Sequence, residues 1–214
     1  MRKFLLLWCS LTCAASAGPI AVFSNFGPGN TYNTSSAWTI GYPNPAFLNV
    51  YGAAFTPLQA VIFDDLQVVL EHQGGANQFV VSLNADSGNL PGAALESFFL
   101  DNQASNLFSG NLLTEASALH PLLNAGTQYW VVVSPASQGD VGGWLSSPSD
   151  QNRWAAEESS GWFPLDLTGS FNRGVFAVDG SAVPEPAPFW LVGLGWGAVV
   201  LFRARQRTKQ QPRG

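Results

Sequence analysis

Hydrophobic and polar residues alternate in short runs along most of the chain, and turn residues separate the runs. Between residues 60 and 72, Ile62, Asp64, Leu66, Val68 and Leu70 fall on one side of an extended chain. That side is mostly apolar, which predicts a long strand with one buried face. Residues 129–134, Tyr-Trp-Val-Val-Val-Ser, form the most strand-like run because aromatic and β-branched residues fill it.

Ten shorter runs have a similar character, and Gly, Pro and Asn turns lie between them. They are residues 20–24, 37–40, 47–51, 78–83, 94–100, 107–113, 143–145, 153–155, 161–163 and 174–178. No segment shows a sustained period of 3.6 residues. The pattern therefore predicts an all-β fold, a single β-sandwich or jelly-roll domain.

The N-terminus has the three parts of a signal peptide. Arg2 and Lys3 precede an apolar run over residues 4–11, and Ala15 and Ala17 form a small-x-small cleavage pattern. We expect Sec-type export machinery to export the chain and signal peptidase to remove residues 1–17. The mature protein would then begin at Gly18. An uncleaved anchor is the weaker alternative because the apolar run is too short to span a bilayer.

Both cysteines of the sequence, Cys9 and Cys13, lie inside this peptide. A lipoprotein anchored at Cys13 is a further alternative, but residues 10–12, Ser-Leu-Thr, match a lipobox poorly. The mature chain would have no thiol, which excludes thiol catalysis and cysteine-ligated zinc. Its core must also be stable without disulfides.

The charge of the central domain, residues 18–182, is strongly negative. It holds 13 of the 14 acidic residues, two arginines and no lysine, so its net charge is 2 − 13 = −11. Such a surface repels phosphate backbones, which argues against nucleic-acid binding. It suits a solvated surface outside the cytoplasm.

The C-terminal segment, residues 183–214, has three distinct parts. Val183, Pro184, Glu185 and Pro186 predict a stiff, extended element. Residues 187–202 carry no charge, and as a helix they would span roughly 24 Å, somewhat less than a hydrocarbon core of about 30 Å. The cations that follow predict a cytoplasmic tail. The topology anchors are Arg203, Arg205, Arg207 and Lys209.

This layout resembles the PEP-CTERM sorting signal of Gram-negative surface and exopolysaccharide-associated proteins. The resemblance implies recognition by a membrane protease called exosortase, with cutting near Pro184–Pro186. The protein would lie in the inner membrane during sorting, with its domain outside the cytoplasm, and later at the cell surface or in the extracellular matrix. A permanent anchor behind a Pro-rich linker is the alternative.

A second resemblance covers residues 50–180 and rests on the motifs at residues 80–92, 123–130 and 176–180. They resemble the choice-of-anchor domains of secreted bacterial proteins, with type R as the best match. The resemblance implies an exported β-sandwich and no particular activity.

Two groups of residues could bind a ligand. Asn84, Asp86 and Asn89 concentrate oxygen ligands in one loop and form a weak calcium candidate. The alternative is an Asp-Ser-Gly turn held by side-chain hydrogen bonds.

Trp144, Trp154 and Trp162 lie near Gly, Ser or Asp, and on exposed loops they could stack on sugar rings of an extracellular polysaccharide. The alternative places these tryptophans in the core, where their large area would stabilise a domain without disulfides.

Groups for acid–base catalysis are few. The chain has two histidines, of which we expect His72 to be exposed at a strand end and His120 to cap a loop. Asp64 and Asp65, as neighbours on a strand, should point to opposite faces. We therefore expect a non-enzymatic, cofactor-free structural or adhesive protein, with a carbohydrate-binding module as the alternative and a glycoside hydrolase third.

Overall fold

The computed structural model describes residues 18–44, 47–107, 109–158, 160–165 and 172–183. Strands are the regular secondary structure of these residues, which confirms the prediction of an all-β fold. None of the described ranges contains an apolar helix of membrane-spanning length. The predicted signal peptide and the apolar segment 187–202 lie outside the described residues.

Fourteen strands occur in the described ranges. They are β1 (Ile20–Ser24), β2 (Asn33–Asn44), β3 (Phe47–Phe55), β4 (Val61–Gly74), β5 (Gln78–Asp86), β6 (Pro91–Asp101), β7 (Ser105–Asn106), β8 (Asn111–Ala116), β9 (Leu122–Leu123), β10 (Tyr129–Pro135), β11 (Val141–Ser146), β12 (Trp154–Glu158), β13 (Gly161–Pro164) and β14 (Phe176–Ala182). All pairings are antiparallel except a short parallel one between β4 and β7.

The strands form one curled sheet in the order β1-β14-β4-β11-β2-β3-β10-β5-β6. The long strand β4 pairs with β14 and β11 along one edge and with β9, β8 and β7 along the other. The β12–β13 hairpin adds to β3. We call β1, β14, β4, β11 and β2 the first half of the sheet, and β3, β10, β5 and β6 the second half.

The main core lies between the two halves. Alternate residues of β4, such as Leu66 and Leu70, join alternate residues of β5 and β10, such as Val81 and Val131, in one buried cluster. Both halves thus turn one face toward the same core, as the period of two in a strand requires.

Smaller apolar clusters cover the outer faces. One joins Val69, Leu145 and Val175 of the first half, with Phe26 and Tyr32 packed over them.

The outer cluster of the second half contains Val50, Ala54, Trp130, Val132 and Ala155. Leu90 and Trp162 pack over it. Strands β3 and β10 of the second half are therefore apolar on both faces.

A bulge in β4 overturns part of the predicted alternation. Phe63 and Leu66 are both buried, although they are three residues apart. The register with β14 shifts here, since Asp179 lies opposite Asp65 and Gly180 lies opposite Phe63. Asp64 is the extra residue, so the prediction that it shares the buried face with Leu66 is wrong.

The predicted strand over residues 107–113 is also wrong in its first half. Ser109 N donates to Asn106 O at 3.1 Å, and Gly110 has a φ of 50°. These residues form a turn, and β8 begins only at Asn111.

Candidate functional site

The predicted calcium loop is a tight hairpin turn between β5 and β6. Gly88 and Asn89 have φ values of 67° and 70°, and Ser87 N donates to Leu90 O at 2.8 Å. Two positive φ values in a two-residue loop suit Gly and Asn, which tolerate the left-handed region. Asn89 N donates to Asp86 Oδ2 at 3.1 Å. The turn interpretation of this loop is therefore the one that the structure shows.

Asp86 connects this turn to the outer face of the second half. Its Oδ1 accepts hydrogen bonds from Gln128 Nε2 at 2.6 Å and from Trp130 Nε1 at 2.8 Å. Desolvation alone would raise the pKa of Asp86, but the hydrogen bonds from Trp130, Asn89 and Gln128 and the charge of Arg153 lower it overall. Asp86 is an exposed carboxylate held in a fixed position.

Asn84 makes hydrogen bonds that are separate from those of Asp86. It is buried, its Oδ1 accepts from Ser82 Oγ at 2.7 Å, and its Nδ2 donates to Gly92 O at 2.7 Å. Asp86 Oδ2 is thus engaged in the turn, and Asp86 Oδ1 is engaged with Gln128 and Trp130. Asn84 Oδ1 is engaged with Ser82. Within the part of the chain that the structure describes, no cluster of three His, Cys, Asp or Glu could hold a metal ion.

Two tryptophans meet over a glycine on the same outer face. A Cβ on Gly52 would lie 2.8 Å from Pro91 Cγ, 3.3 Å from Trp130 Cε3 and 3.4 Å from Trp162 Cζ3. Trp130 is fully buried, whereas Trp162, on β13, is partly exposed. Leu90 packs beside them. We call these five residues the tryptophan face.

Polar side chains surround the tryptophan face. Glu157 lies opposite Trp162 in the β12–β13 hairpin, and Asp86 and Gln128 lie beside Trp130. Carboxylates and an amide around a partly exposed tryptophan are groups that can orient a polar, ring-shaped ligand. The structure therefore brings together one predicted sugar-stacking residue, Trp162, and one predicted loop residue, Asp86.

The other two predicted sugar-stacking residues belong to the core, which corrects that expectation. Trp144 is 0% exposed and its Nε1 donates to Val175 O at 2.9 Å. Its ring covers Gly174, where a Cβ would lie only 2.2 Å from Trp144 Cδ2.

Trp154 is 4% exposed and stacks on Tyr51, with 5.1 Å between the ring centroids. Buried faces such as these cannot stack on a sugar. The core alternative for Trp144 and Trp154 is the one that the structure shows.

Three carboxylates gather on the outer face of the first half. Gln67 Nε2 contacts Asp179 Oδ2 at 3.0 Å and Asp65 Oδ1 at 3.5 Å, and Ser181 Oγ contacts Asp64 Oδ1 at 3.3 Å. Burial raises the pKa of Asp179, and the charges of Asp65 and Asp64 raise it further. The expectation that Asp64 and Asp65 point to opposite faces is therefore wrong, because the bulge places both outside the core.

The two histidines serve local structure. His120 has a φ of 47°, its N donates to Ser117 Oγ at 2.8 Å, and its Nδ1 lies 3.1 Å from Phe63 O. His72 lies near the end of β4 with its Nε2 3.3 Å from Gly75 O. His120 thus closes a loop, as expected.

A buried arginine, which the sequence reasoning missed, fixes the backbone behind the tryptophan face. Arg173 is 2% exposed and its Nε donates to Asp150 Oδ2 at 2.5 Å. Its Nη1 donates to Ala54 O and, at 3.3 Å, to Arg153 O. No local pattern marks residue 173 as buried, because its partners lie far away in sequence.

The predicted processing residues lie mostly outside the described ranges. Gly18 and Val183 are described and exposed. Ala15, Ala17, Pro184, Glu185, Pro186 and the four tail cations are not among the described residues. Comparison of the chain with protein-family models, curated proteins and solved structures gave no significant match.

Proposed function

We propose that this chain is an exported, exosortase-sorted protein of the cell surface or exopolysaccharide, with a non-enzymatic structural or adhesive role. One observation carries the proposal. The last strand of the domain ends at Ala182, and the Pro184–Pro186 motif, the apolar segment and the basic tail follow directly. This order is that of a PEP-CTERM signal behind a folded domain.

The domain itself supports export. It has thirteen acidic residues but only two arginines, and one of these, Arg173, is buried. The surface is therefore strongly anionic. We propose the choice-of-anchor β-sandwich as its fold, and two halves of a sheet enclosing one core support that choice. With no cysteine after Cys13, stability depends on this core.

Mass spectrometry of the mature C-terminus, in cells with and without the exosortase, tests the sorting role. We expect the peptide covering residues 205–214 to disappear from the mature protein only when the protease is present. Replacing Pro184, Glu185 and Pro186 by alanine should preserve that peptide in both strains. An intact tail in wild-type protein beside an active protease would contradict the proposal.

Carbohydrate binding is the second candidate, and the tryptophan face favours it. The partly exposed Trp162 pairs with Glu157 in the β12–β13 hairpin and packs over Gly52 beside Trp130. Asp86 binds Gln128 and Trp130, so polar groups lie at both ends of the tryptophan face. A polysaccharide chain is the ligand class that this surface fits.

Retention on the producing strain's own exopolysaccharide tests this second candidate. We expect Trp162→Ala to lose retention, whereas Phe99→Ala, which removes a 57% exposed ring from β6, should leave it unchanged. Equal retention of wild-type protein and Trp162→Ala would exclude the tryptophan face as the binding surface.

A further inference from the structure

Three exposed leucines lie at one end of the domain. Leu58 is 95% exposed, Leu119 68% and Leu122 49%. In the sheet, Leu122 of β9 lies opposite Ile62, which is also partly exposed. We call these four residues the apolar end.

Backbone hydrogen bonds hold the loops of the apolar end around the start of β4. Phe63 N donates to Pro121 O at 3.0 Å, next to Leu122, and Gly126 N donates to Pro57 O at 2.9 Å, next to Leu58. Glu96 Oε1 accepts from Leu119 N at 3.1 Å. The apolar residues are therefore displayed on fixed loops.

The chain leaves the domain at this same end. Ala182, the last residue of β14, lies opposite Val61, the first residue of β4, and Ser181 lies opposite Ile62. Leu122 pairs with Ile62 on the other edge of β4. The last residues of β14, where the chain leaves the domain, thus lie beside the same β4 residues, Val61 and Ile62, as the apolar end.

We propose that the apolar end contacts the outer surface of the lipid bilayer while the protein is anchored. The inference rests on the proposed membrane segment, which starts at residue 187. Five peptide units separate Ala182 from Ala187, and they span at most about 18 Å. A headgroup layer is about 7 Å thick on each side of the hydrocarbon core. The end of the domain that carries the exit therefore lies no more than about 11 Å (18 − 7) beyond the headgroup layer, which allows it to reach the headgroups.

Burying the apolar-end side chains among lipid is favourable because it removes their apolar surface from water. The charge of the domain sets the preferred lipid. With a net charge of −11 over residues 18–182, including Asp64 beside Ser181, the domain is repelled by anionic headgroups. The contact should therefore favour zwitterionic phosphatidylcholine or phosphatidylethanolamine.

Depth-dependent fluorescence quenching tests the proposal on the chain that lacks residues 1–17 and keeps the whole C-terminal segment, residues 183–214. The mature chain has no cysteine after removal of residues 1–17, so Leu58→Cys and Leu119→Cys each give a single labelling site. Leu107→Cys is the matched control, because Leu107 is 45% exposed and follows β7, which pairs with the far end of β4 at Glu71 and His72. Each variant is labelled with an environment-sensitive dye and reconstituted into phosphatidylcholine vesicles that carry spin-labelled lipid.

We expect at least threefold stronger quenching at residues 58 and 119 than at residue 107, and weaker quenching when half of the lipid is phosphatidylglycerol. Vesicle flotation on the same samples tests the membrane anchor separately from the membrane contact of the apolar end. Protein that floats while all three sites show equal quenching would overturn the membrane contact and leave the anchor standing. Protein that fails to float would overturn both. A blue shift without lipid quenching would show that protein covers the leucines, and would also overturn the proposal.

Discussion

Arg173 and Asp150 form a buried ion pair in a domain that has only one other arginine. The side chains are 2% and 9% exposed, and Arg173 Nε lies 2.5 Å from Asp150 Oδ2. Burial lowers the pKa of Arg173, and the charge and hydrogen bond of Asp150 raise it in part. The guanidinium also lies 5.0 Å from the Phe23 ring centroid and 5.2 Å from that of Phe176. The pair thus ties Asp150 to the aromatic core.

Removing the guanidinium of Arg173 should therefore lower the free energy of unfolding. Arg173→Leu leaves the buried Asp150 carboxylate unpaired, which typically costs about 3–5 kcal/mol. Urea unfolding followed by tryptophan fluorescence measures the change. Arg153→Leu is the control, since Arg153 is exposed and its loss should change the free energy of unfolding by less than about 0.5 kcal/mol. A loss under about 1 kcal/mol for Arg173→Leu would contradict this role.

The packing of the tryptophan face on Gly52 leads to a second prediction. A methyl group there would meet Pro91 Cγ at 2.8 Å and the edges of both Trp130 and Trp162. Gly52→Ala should cost about 1–3 kcal/mol through overpacking and should shift the tryptophan emission spectrum. Gly74→Ala is the matched control, because its nearest neighbour would be Val141 Cβ at 4.0 Å. Equal unfolding midpoints for the two variants would argue against close packing at Gly52.

Most strands could be predicted from the sequence because their signals are local. The run at residues 129–134 became β10, Tyr129–Pro135. Gly88 and Asn89 are the residue types that the tight turn between β5 and β6 requires, because both have positive φ values. The bulge at Asp64 could not be predicted, because it depends on how β14 pairs with β4 from 115 residues away along the chain. One extra residue there reverses which side chains face the core.

The candidate site was predicted only in part, for the same reason. Trp144, Trp154 and Trp162 have similar neighbours in sequence, and long-range packing alone separates them. Trp144 is covered because it lies over Gly174, whereas Trp162 lies on the outer strand β13. Trp130 appeared in the sequence only as a strand residue, and its link to Asp86 required the register of β5 with β10.

A third prediction concerns Glu96, whose carboxylate holds the loop that carries Leu119. It accepts from Ser117 Oγ at 2.6 Å, from Ala118 N at 2.6 Å and from Leu119 N at 3.1 Å. Burial alone would raise the pKa of Glu96, but these hydrogen bonds lower it overall. Because the pKa of Glu96 is lower in the folded than in the unfolded protein, ionised Glu96 stabilises the fold at pH values above the unfolded pKa of about 4.3. This stabilisation is lost as the pH falls through the pKa of Glu96 in the folded protein.

Glu96→Gln should therefore cost about 1–2 kcal/mol at pH 7, and the difference from wild type should shrink below pH 4. Glu115→Gln is a control of opposite sign, because burial raises the pKa of Glu115 and its neutral replacement should not destabilise the protein at pH 7. Urea titrations at pH 7, 5 and 3.5 give the comparison. A pH-independent cost for Glu96→Gln would show that the loss arises from shape and not from charge.

The last prediction follows from the like charges at Asp65 and Asp179, which lie directly opposite each other on β4 and β14. The pKa of Asp179 is raised by burial and by the neighbouring carboxylates. A carboxyl group whose pKa in the folded protein exceeds its unfolded pKa of about 3.9 destabilises the folded state when the pH lies above the folded pKa. This destabilisation disappears when the pH lies below the unfolded pKa. Asp179→Asn keeps an acceptor for Gln67 and removes one charge, so it should stabilise the protein by roughly 0.2–1 kcal/mol at pH 7. The gain should disappear near pH 3.5.

A double-mutant cycle with Asp65→Asn identifies the partner, since repulsion between these two residues requires the double variant to gain less than the sum of the single gains. Strict additivity would exclude repulsion by Asp65 and leave burial and the charge of Asp64 as the causes of the raised pKa of Asp179.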